Sequence, residues 1–318
     1  FINSSSININ NGASLVIYSD FNRTTLSNGK TFTFGSTGGG SIIYDKGNHL
    51  WQNSVGKFVT TGGTQNTISS ANGGFINPQG ANTVNFDVAD GTDAVDLLVS
   101  VAIGSGSYTK SGAGTMSITS SSTLGGGGVS QPNLTINAGT FDVGGTARLT
   151  TSGQAFGVVT SDILNNGVYR HSSSGAQTLS GVISGSGSLI KSNSASTVTL
   201  SGTTANTFSG LTTVNGGTLL LNKTAGVNAI AGNVTIGDAS GVDILQLSAS
   251  DQIANTSILT FNGASANAGT FRMNAQNETV GGIASTSGAG IIENGTSGTS
   301  TLTLDVNTTD RVFSGIIQ

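Results

Sequence analysis

The chain has 318 residues, a formal net charge of −4 and no cysteine, and only 8% of its residues are charged. Its 11 basic residues are spread singly from Arg23 to Arg311, which argues against nucleic acid as a partner, because nucleic-acid binding needs a clustered basic surface. The lack of cysteine excludes disulfides and thiolate metal sites, and no apolar run approaches the roughly 18 residues of a membrane span.

Residues 1–81 hold short apolar alternations such as Ile7–Ile9, separated by long and irregular corners. They are interpreted as elaborated N-terminal coils of a larger repetitive fold. The pair His49 and Trp51, together with Tyr44, forms the candidate ligand-binding group, because aromatic rings can stack on a sugar. The alternative is a loop that packs over a coil.

Four aspartates follow at intervals of three residues, at positions Asp87, Asp90, Asp93 and Asp96. Clustered carboxylates can bind Ca²⁺, which takes six to eight oxygen ligands. The four residues are therefore the candidate metal ligands, and Ca²⁺ is the only cofactor that the sequence suggests. The alternative is an acidic, solvated corner between two strands.

Internal repeats dominate the chain from residue 104 onwards. The segment 104–119 aligns with 185–200, so that Lys110 and Lys191 are equivalent, and 134–141 aligns with 212–219. A lone histidine, His171, lies between these copies and is predicted to be exposed. Since strands this short cannot form an independent sheet, they must stack on copies of themselves.

Apolar-polar-apolar triplets recur along these repeats, which is the period of a strand with one buried face. Leu219, Leu245 and Phe271 begin one series of evenly spaced triplets, and Val234 and Leu259 begin a second series with nearly the same spacing. The pattern predicts an all-β solenoid of roughly 13 coils with about 25 residues each. Elaborated coils would span 1–81 and regular repeats 82–318, in one continuous domain. The buried triplet positions would include Val198, Leu200, Leu219, Leu221, Leu259 and Phe261.

Three motifs carry a family resemblance. They are TLSGVISGSGSL at 178–189, KSGAGT at 110–115 and TTVNGGTLLL at 212–221. Read one after another, they resemble the autotransporter-associated β-strand repeat of large bacterial surface and secreted proteins. The resemblance implies a right-handed parallel β-helix exported from a bacterium and located at the cell surface or outside the cell. It supplies no catalytic residue.

The last residues, Phe313–Ile317, repeat Leu179–Ile183, so the chain stops in the middle of a copy. We therefore expect the terminal coils to associate with further copies of the same chain. The functional hypothesis is a structural, non-catalytic segment of a bacterial fibre or passenger. The alternatives are an adhesin that binds glycan or a neighbouring surface through residues 1–81, and a polysaccharide-active β-helix enzyme, which needs paired carboxylates on one face.

Overall fold

The computed structural model describes residues 6–10, 12–17, 31–44, 48–50, 56–78, 83–125, 132–193, 195–263, 267–287, 290–305 and 311–318. These residues form short strands, turns and bends, and there is no helix among them. The fold is an all-β parallel β-solenoid of about 11 turns, of the right-handed β-helix class. The predicted fold class is confirmed.

The chain divides into two compact units, unit 1 (Phe1–Tyr169) and unit 2 (Arg170–Gln318). The strands of unit 1 are β1 (Ser6–Ile9), β2 (Ser14–Ile17), β3 (Thr31–Phe34), β4 (Ser41–Tyr44), β5 (Asn48–Leu50), β6 (Gly56–Thr60), β7 (Asn66–Ser70), β8 (Phe75–Asn77), β9 (Thr83–Val88), β10 (Leu97–Val99), β11 (Ala102–Ile103), β12 (Ser107–Ser111), β13 (Thr115–Ile118), β14 (Ser122–Leu124), β15 (Leu134–Ile136), β16 (Thr140–Val143), β17 (Leu149–Thr151), β18 (Val158–Val159) and β19 (Ile163–Asn165). Strand β20 (Val168–His171) contains the division between the two units.

The strands of unit 2 are β21 (Gln177–Leu179), β22 (Ile183–Ser184), β23 (Ser188–Lys191), β24 (Thr197–Gly202), β25 (Thr212–Val214), β26 (Gly217–Lys223), β27 (Val234–Ile236), β28 (Asp243–Leu247), β29 (Ile258–Asn262), β30 (Gly269–Arg272), β31 (Glu278–Val280), β32 (Gly282–Ser287), β33 (Gly290–Glu293), β34 (Leu302–Leu304) and β35 (Ile316–Ile317). None of the described residues belongs to a helix long and apolar enough to span a membrane.

In unit 1, each turn of the solenoid places one strand on each of two long sheets. The first has the order β1-β3-β6-β9-β12-β15-β19 and the second the order β2-β4-β7-β10-β13-β16. Short sheets, β5-β8-β11 and β14-β17, form the third side. Neighbouring strands are parallel, as expected when each strand is followed one turn later by its partner.

In unit 2, one sheet has the order β23-β25-β27-β29-β32 and another the order β21-β24-β26-β28-β30-β33-β35. Leu219 pairs with Leu245 and Leu245 with Phe271, while Val234 pairs with Leu259. The two series of triplets therefore lie on two different sides of the solenoid, and their predicted spacing is confirmed.

The predicted number of about 13 coils is wrong, because the solenoid has about 11 turns. The turns differ in length. Val99 pairs with Ile68 on the turn before it and with Ile118 on the turn after it. Many more residues separate Ile68 from Val99 than separate Val99 from Ile118. The interval from Leu134 to its partner Ile163 is again a long one. No single repeat length fits the whole chain, because the corners between strands differ in length.

The core lies inside the solenoid, where alternate residues of each strand point inwards. The six predicted core residues are all buried: Val198, Leu200, Leu219, Leu221, Leu259 and Phe261. In unit 1 the rings of Phe32, Phe58 and Phe86 stack on three successive turns, with neighbouring centroids 5.4 Å apart. The register between turns therefore places similar side chains above one another in columns.

The repeat that aligns Lys110 with Lys191 corresponds to a strand, a corner and a second strand. Lys110 pairs with Ile136, which lies in the segment 134–141. Lys191 pairs with Val214, which lies in the segment 212–219. Both lysines therefore lie near the C-terminal end of a strand that leads into a corner, although the two strands belong to different sheets.

Candidate functional site

Charged and strongly polar side chains lie inside the solenoid at its corners. Corners leave backbone N–H and C=O groups without ladder partners, and such groups must be bonded when they are buried. The buried side chains concerned include Asp96, Lys110, His171, Lys191, Lys223, Asp243, Gln252 and Glu278. We call these residues the corner caps.

Lys110 is fully buried in strand β12. Its Nζ donates to the carbonyl oxygens of Ser111 at 2.9 Å, Gly112 at 2.8 Å and Ala138 at 3.1 Å. The ammonium group has three protons to donate, so the three carbonyls satisfy it. Burial lowers the pKa of Lys110 to about 8, although the nearby carboxylates of Asp87 and Asp96 act in the opposite direction.

Lys191 also donates hydrogen bonds to backbone carbonyl groups, at a corner of unit 2. Its Nζ donates to the carbonyl oxygen of Gly216 at 2.8 Å and to that of Asn193. Burial lowers its pKa to about 8, and the carboxylate of Asp243 opposes this shift. Gly217, at φ +71°, leaves the space that Nζ occupies, since a Cβ there would lie 3.0 Å from Nζ and 2.4 Å from the carbonyl oxygen of Asn193. The close approach therefore requires glycine.

The carboxylates of Asp96 and Asp243 cap corners by accepting hydrogen bonds from backbone N–H groups. Each carboxylate bonds the backbone N–H five residues earlier: Gly91 donates to Oδ1 of Asp96 at 2.7 Å, and Asp238 to Oδ2 of Asp243 at 3.4 Å. Oδ2 of Asp96 also accepts from the N–H of Thr115 at 2.7 Å. Burial raises the pKa of Asp243 to about 6, and among the described residues its Oδ1 has no hydrogen-bond partner.

The structure separates the roles of the four predicted calcium ligands. Asp87 makes an exposed ion pair with Lys57 at 3.0 Å, and Asp93 accepts from the backbone N–H of Gln65 at 2.6 Å. Asp90 is exposed, and Asp96 is a corner cap. Within the described part of the chain, no three His, Cys, Asp or Glu residues lie close enough together to hold a metal ion. Calcium binding here stays a prediction.

The three aromatic candidates are placed differently. Tyr44 lies in β4 with its ring fully buried, and burial raises the pKa of its hydroxyl. His49 lies in strand β5, but its side chain is outside the described part of the chain, and Trp51 is outside the described residues. Tyr44 therefore presents no face to a sugar, and glycan binding by the other two stays a prediction.

The prediction that His171 is exposed is wrong. His171 is the last residue of β20 and is 1% exposed, and its Nε2 hydrogen-bonds with the carbonyl oxygen of Gly175 at 2.9 Å. The signal was present in the sequence, because His171 is two residues after Tyr169 and alternation places both side chains inside. Its role is that of a corner cap.

Strand β35 forms an edge of its sheet. Ile316 pairs with Ile291 and Ile317 with Ile292, and among the described residues no strand pairs with the other side of β35. Their side chains are 55% and 68% exposed, although Ile292 is buried. This edge presents apolar side chains and unpaired backbone groups, and such edges pair readily with a further strand.

Family models, curated proteins and solved structures were compared with the chain, and none of them matches it. The polar atoms of the corner caps bond mainly to the backbone of their own or a neighbouring turn, so their chemistry holds one turn on the next.

Proposed function

We propose that this protein is a structural, non-catalytic segment of a secreted or cell-surface bacterial fibre or passenger. It provides a stiff stack of turns and assembles end to end into filaments. The observation that carries the proposal is the edge at β35, where Ile317 is exposed although its partner Ile292 is buried, and where no described strand pairs with the other side of β35.

The non-catalytic part of the proposal is supported by how the buried carboxylates are used. Polysaccharide hydrolysis needs a pair of carboxylates that reach the substrate from one face. Asp96, Asp243 and Glu278 are instead buried and accept hydrogen bonds from backbone N–H groups. Carboxylates used in this way stabilise corners.

The location outside the cell is supported by the resemblance of residues 82–221 to the autotransporter-associated β-strand repeat. The source of stability is compatible with this location but does not favour it. The chain has no cysteine, so its ladders and its core must stabilise it without disulfides, which suits an oxidising or a reducing environment alike.

The proposed partner is a second copy of this chain, whose edge strand continues the ladder at β35. Electron microscopy of negatively stained protein tests this. We expect filaments of the wild-type protein and of Thr199→Lys, a control that adds the same charge to an outward position of an inner strand. Ile317→Lys should give single particles, because a charge at the edge blocks pairing.

Dispersed wild-type particles, or filaments of Ile317→Lys as abundant as those of Thr199→Lys, would contradict this assembly. Release of oligosaccharides from a mixed polysaccharide preparation by the wild-type protein would contradict its non-catalytic part.

A further inference from the structure

Seven asparagines of the chain are directly followed by glycine. Such an asparagine is chemically labile, because glycine has no side chain that keeps its backbone nitrogen away from the amide carbon Cγ of the asparagine. At five of these places the structure describes both residues of the pair. The five asparagines are Asn72, Asn166, Asn215, Asn262 and Asn294.

The reaction of such a pair is an intramolecular cyclisation. The deprotonated backbone nitrogen of glycine attacks Cγ of asparagine and forms a nitrogen–carbon bond, while the Cγ–Nδ2 bond breaks and ammonia leaves with a proton from solvent. Water then opens the succinimide ring at either of its carbonyl groups and gives aspartate or isoaspartate. Ring closure turns the peptide group between the two residues, so it needs free space beside the glycine.

Asn72 and Gly73 lie in the bend between strands β7 and β8, and both are exposed. Gly73 has φ +79°, and a Cβ built on it would have no described atom within 4 Å. The residues on either side are fixed, because Ala71 donates its backbone N–H to the carbonyl oxygen of Tyr44 at 3.2 Å, and a Cβ on Gly74 would lie 3.0 Å from that same oxygen. The peptide group between Asn72 and Gly73 can therefore rotate without moving the turn before it.

Asn166 is exposed as well, but the glycine after it is packed. A Cβ on Gly167 would lie 2.5 Å from the carbonyl oxygen of Gly139 on the preceding turn. The backbone N–H of Asn166 donates to the carbonyl oxygen of Ile136 at 2.7 Å. Rotation of this peptide group requires the two turns to separate, so exposure of the asparagine alone does not permit the reaction.

The other three pairs are also held in place. A Cβ would lie 2.9 Å from a backbone atom of the preceding turn at Gly216, and 2.6 Å from a backbone oxygen at Gly263. The amide group of Asn294 is itself bonded, because its Oδ1 accepts from the backbone N–H of Ala275 at 2.6 Å and its Nδ2 donates to the carbonyl oxygen of Gly298 at 2.8 Å. Cyclisation at these pairs requires contacts of the folded chain to break.

We propose that Asn72 is a site of spontaneous deamidation in the folded protein. The reaction consumes one water molecule, releases ammonia and needs no enzyme or cofactor. It adds a carboxylate to the bend, so the net charge changes from −4 to −5, and the isoaspartate form also lengthens the main chain by one carbon atom. Because the bend is open, the stacked turns keep their structure while the modified form accumulates.

Peptide mapping by mass spectrometry tests the proposal on the full chain, incubated in mildly alkaline buffer. Replacement of the amide nitrogen by oxygen raises the mass of the peptide, and an isoaspartate-specific methyltransferase labels the isoaspartate form. In the native protein, Asn72 should convert at least about tenfold faster than Asn166, Asn215, Asn262 and Asn294, where reaction requires local opening. In guanidinium chloride at the same pH, all five should convert at comparable rates.

Gly73→Ala is the matched variant. Its methyl group hinders the attack on Cγ, so the conversion of Asn72 should slow severalfold in the native protein and the other four pairs should not change. Conversion of Asn72 at the wild-type rate in this variant would overturn the proposal. If the variant does not fold, the wild-type protein decides: conversion of native Asn72 as slow as that of Asn166, or equal conversion of all five pairs in the native protein, would also overturn it.

Discussion

Leu200 and Thr199 are neighbours in β24 whose side chains point to opposite sides of one sheet. Leu200 is fully buried and pairs with Leu221, whereas Thr199 is half-buried on the outer face and pairs with Leu220. Alternation of this kind is local, and the sequence therefore predicts it well. The same substitution should therefore be far more destabilising at Leu200 than at Thr199.

Leu200→Asp should lower the free energy of unfolding by about 3–5 kcal/mol, because it buries an unpaired charge and removes apolar contacts. Thr199→Asp should change it by no more than about 0.5 kcal/mol. Denaturation in urea, followed by circular dichroism, measures both. Equal losses at the two positions would mean that the inner and outer faces are wrongly assigned.

Polar residues inside the core were harder to predict than apolar ones. His171 stands alone in the sequence, and its hydrogen bond with the carbonyl oxygen of Gly175 forms only in the folded chain. Lys110 bonds to Ala138, which is 28 residues away in sequence. Such partners are neighbours only after the turns have stacked, so composition and spacing do not reveal them.

At the scale of strands and corners, the register of the triplets was predictable and the length of the turns was not. Register depends on the apolar period, which Leu219, Leu245 and Phe271 display at equal intervals. The length of a turn depends on its corners, which tolerate insertions at little cost in free energy.

Similar sequences also adopt different pairings at this scale. Leu179 and Ile183 lie in two strands, β21 and β22. Their counterparts Phe313 and Ile317 differ, because the ring of Phe313 packs on that of Phe261 with the centroids 5.1 Å apart and Ile317 lies in β35. Tertiary contacts decide the local structure here.

The corner caps give a prediction at the scale of the element. Lys110→Met keeps the aliphatic stem but leaves the carbonyl groups of Ser111, Gly112 and Ala138 without their donor. The free energy of unfolding should fall by about 2–4 kcal/mol, because buried acceptors without a partner are costly. Urea denaturation at pH 7 measures the loss.

Lys57→Met is the matched control, because the ion pair of Lys57 with Asp87 is exposed to solvent. Exposed ion pairs contribute little, so this variant should lose no more than about 1 kcal/mol. A loss for Lys110→Met as small as that of the control would show that the buried ammonium does not hold the corner.

At the scale of the whole molecule, one arrangement explains both the core and the exposed edge. Each turn uses its apolar residues to cover the turn before it, and its corner caps to bond the backbone of neighbouring turns. The same interactions are available to a further turn at β35, where the column that contains Ile292 reaches solvent through Ile317. Assembly is the proposed use of this edge.

Two adjacent amides in the last strand test the continuing ladder most directly. The N–H of Gln318 donates to the carbonyl oxygen of Ile292 at 2.9 Å, so the N–H of Ile317 points away from β33, since successive residues of a strand bond to opposite sides. Hydrogen exchange is measured for both in dilute and in concentrated protein. The amide of Ile317 should exchange freely when dilute and become protected when concentrated, whereas that of Gln318 stays protected throughout. Exchange of Ile317 at the same rate at every concentration would contradict a ladder that continues between copies.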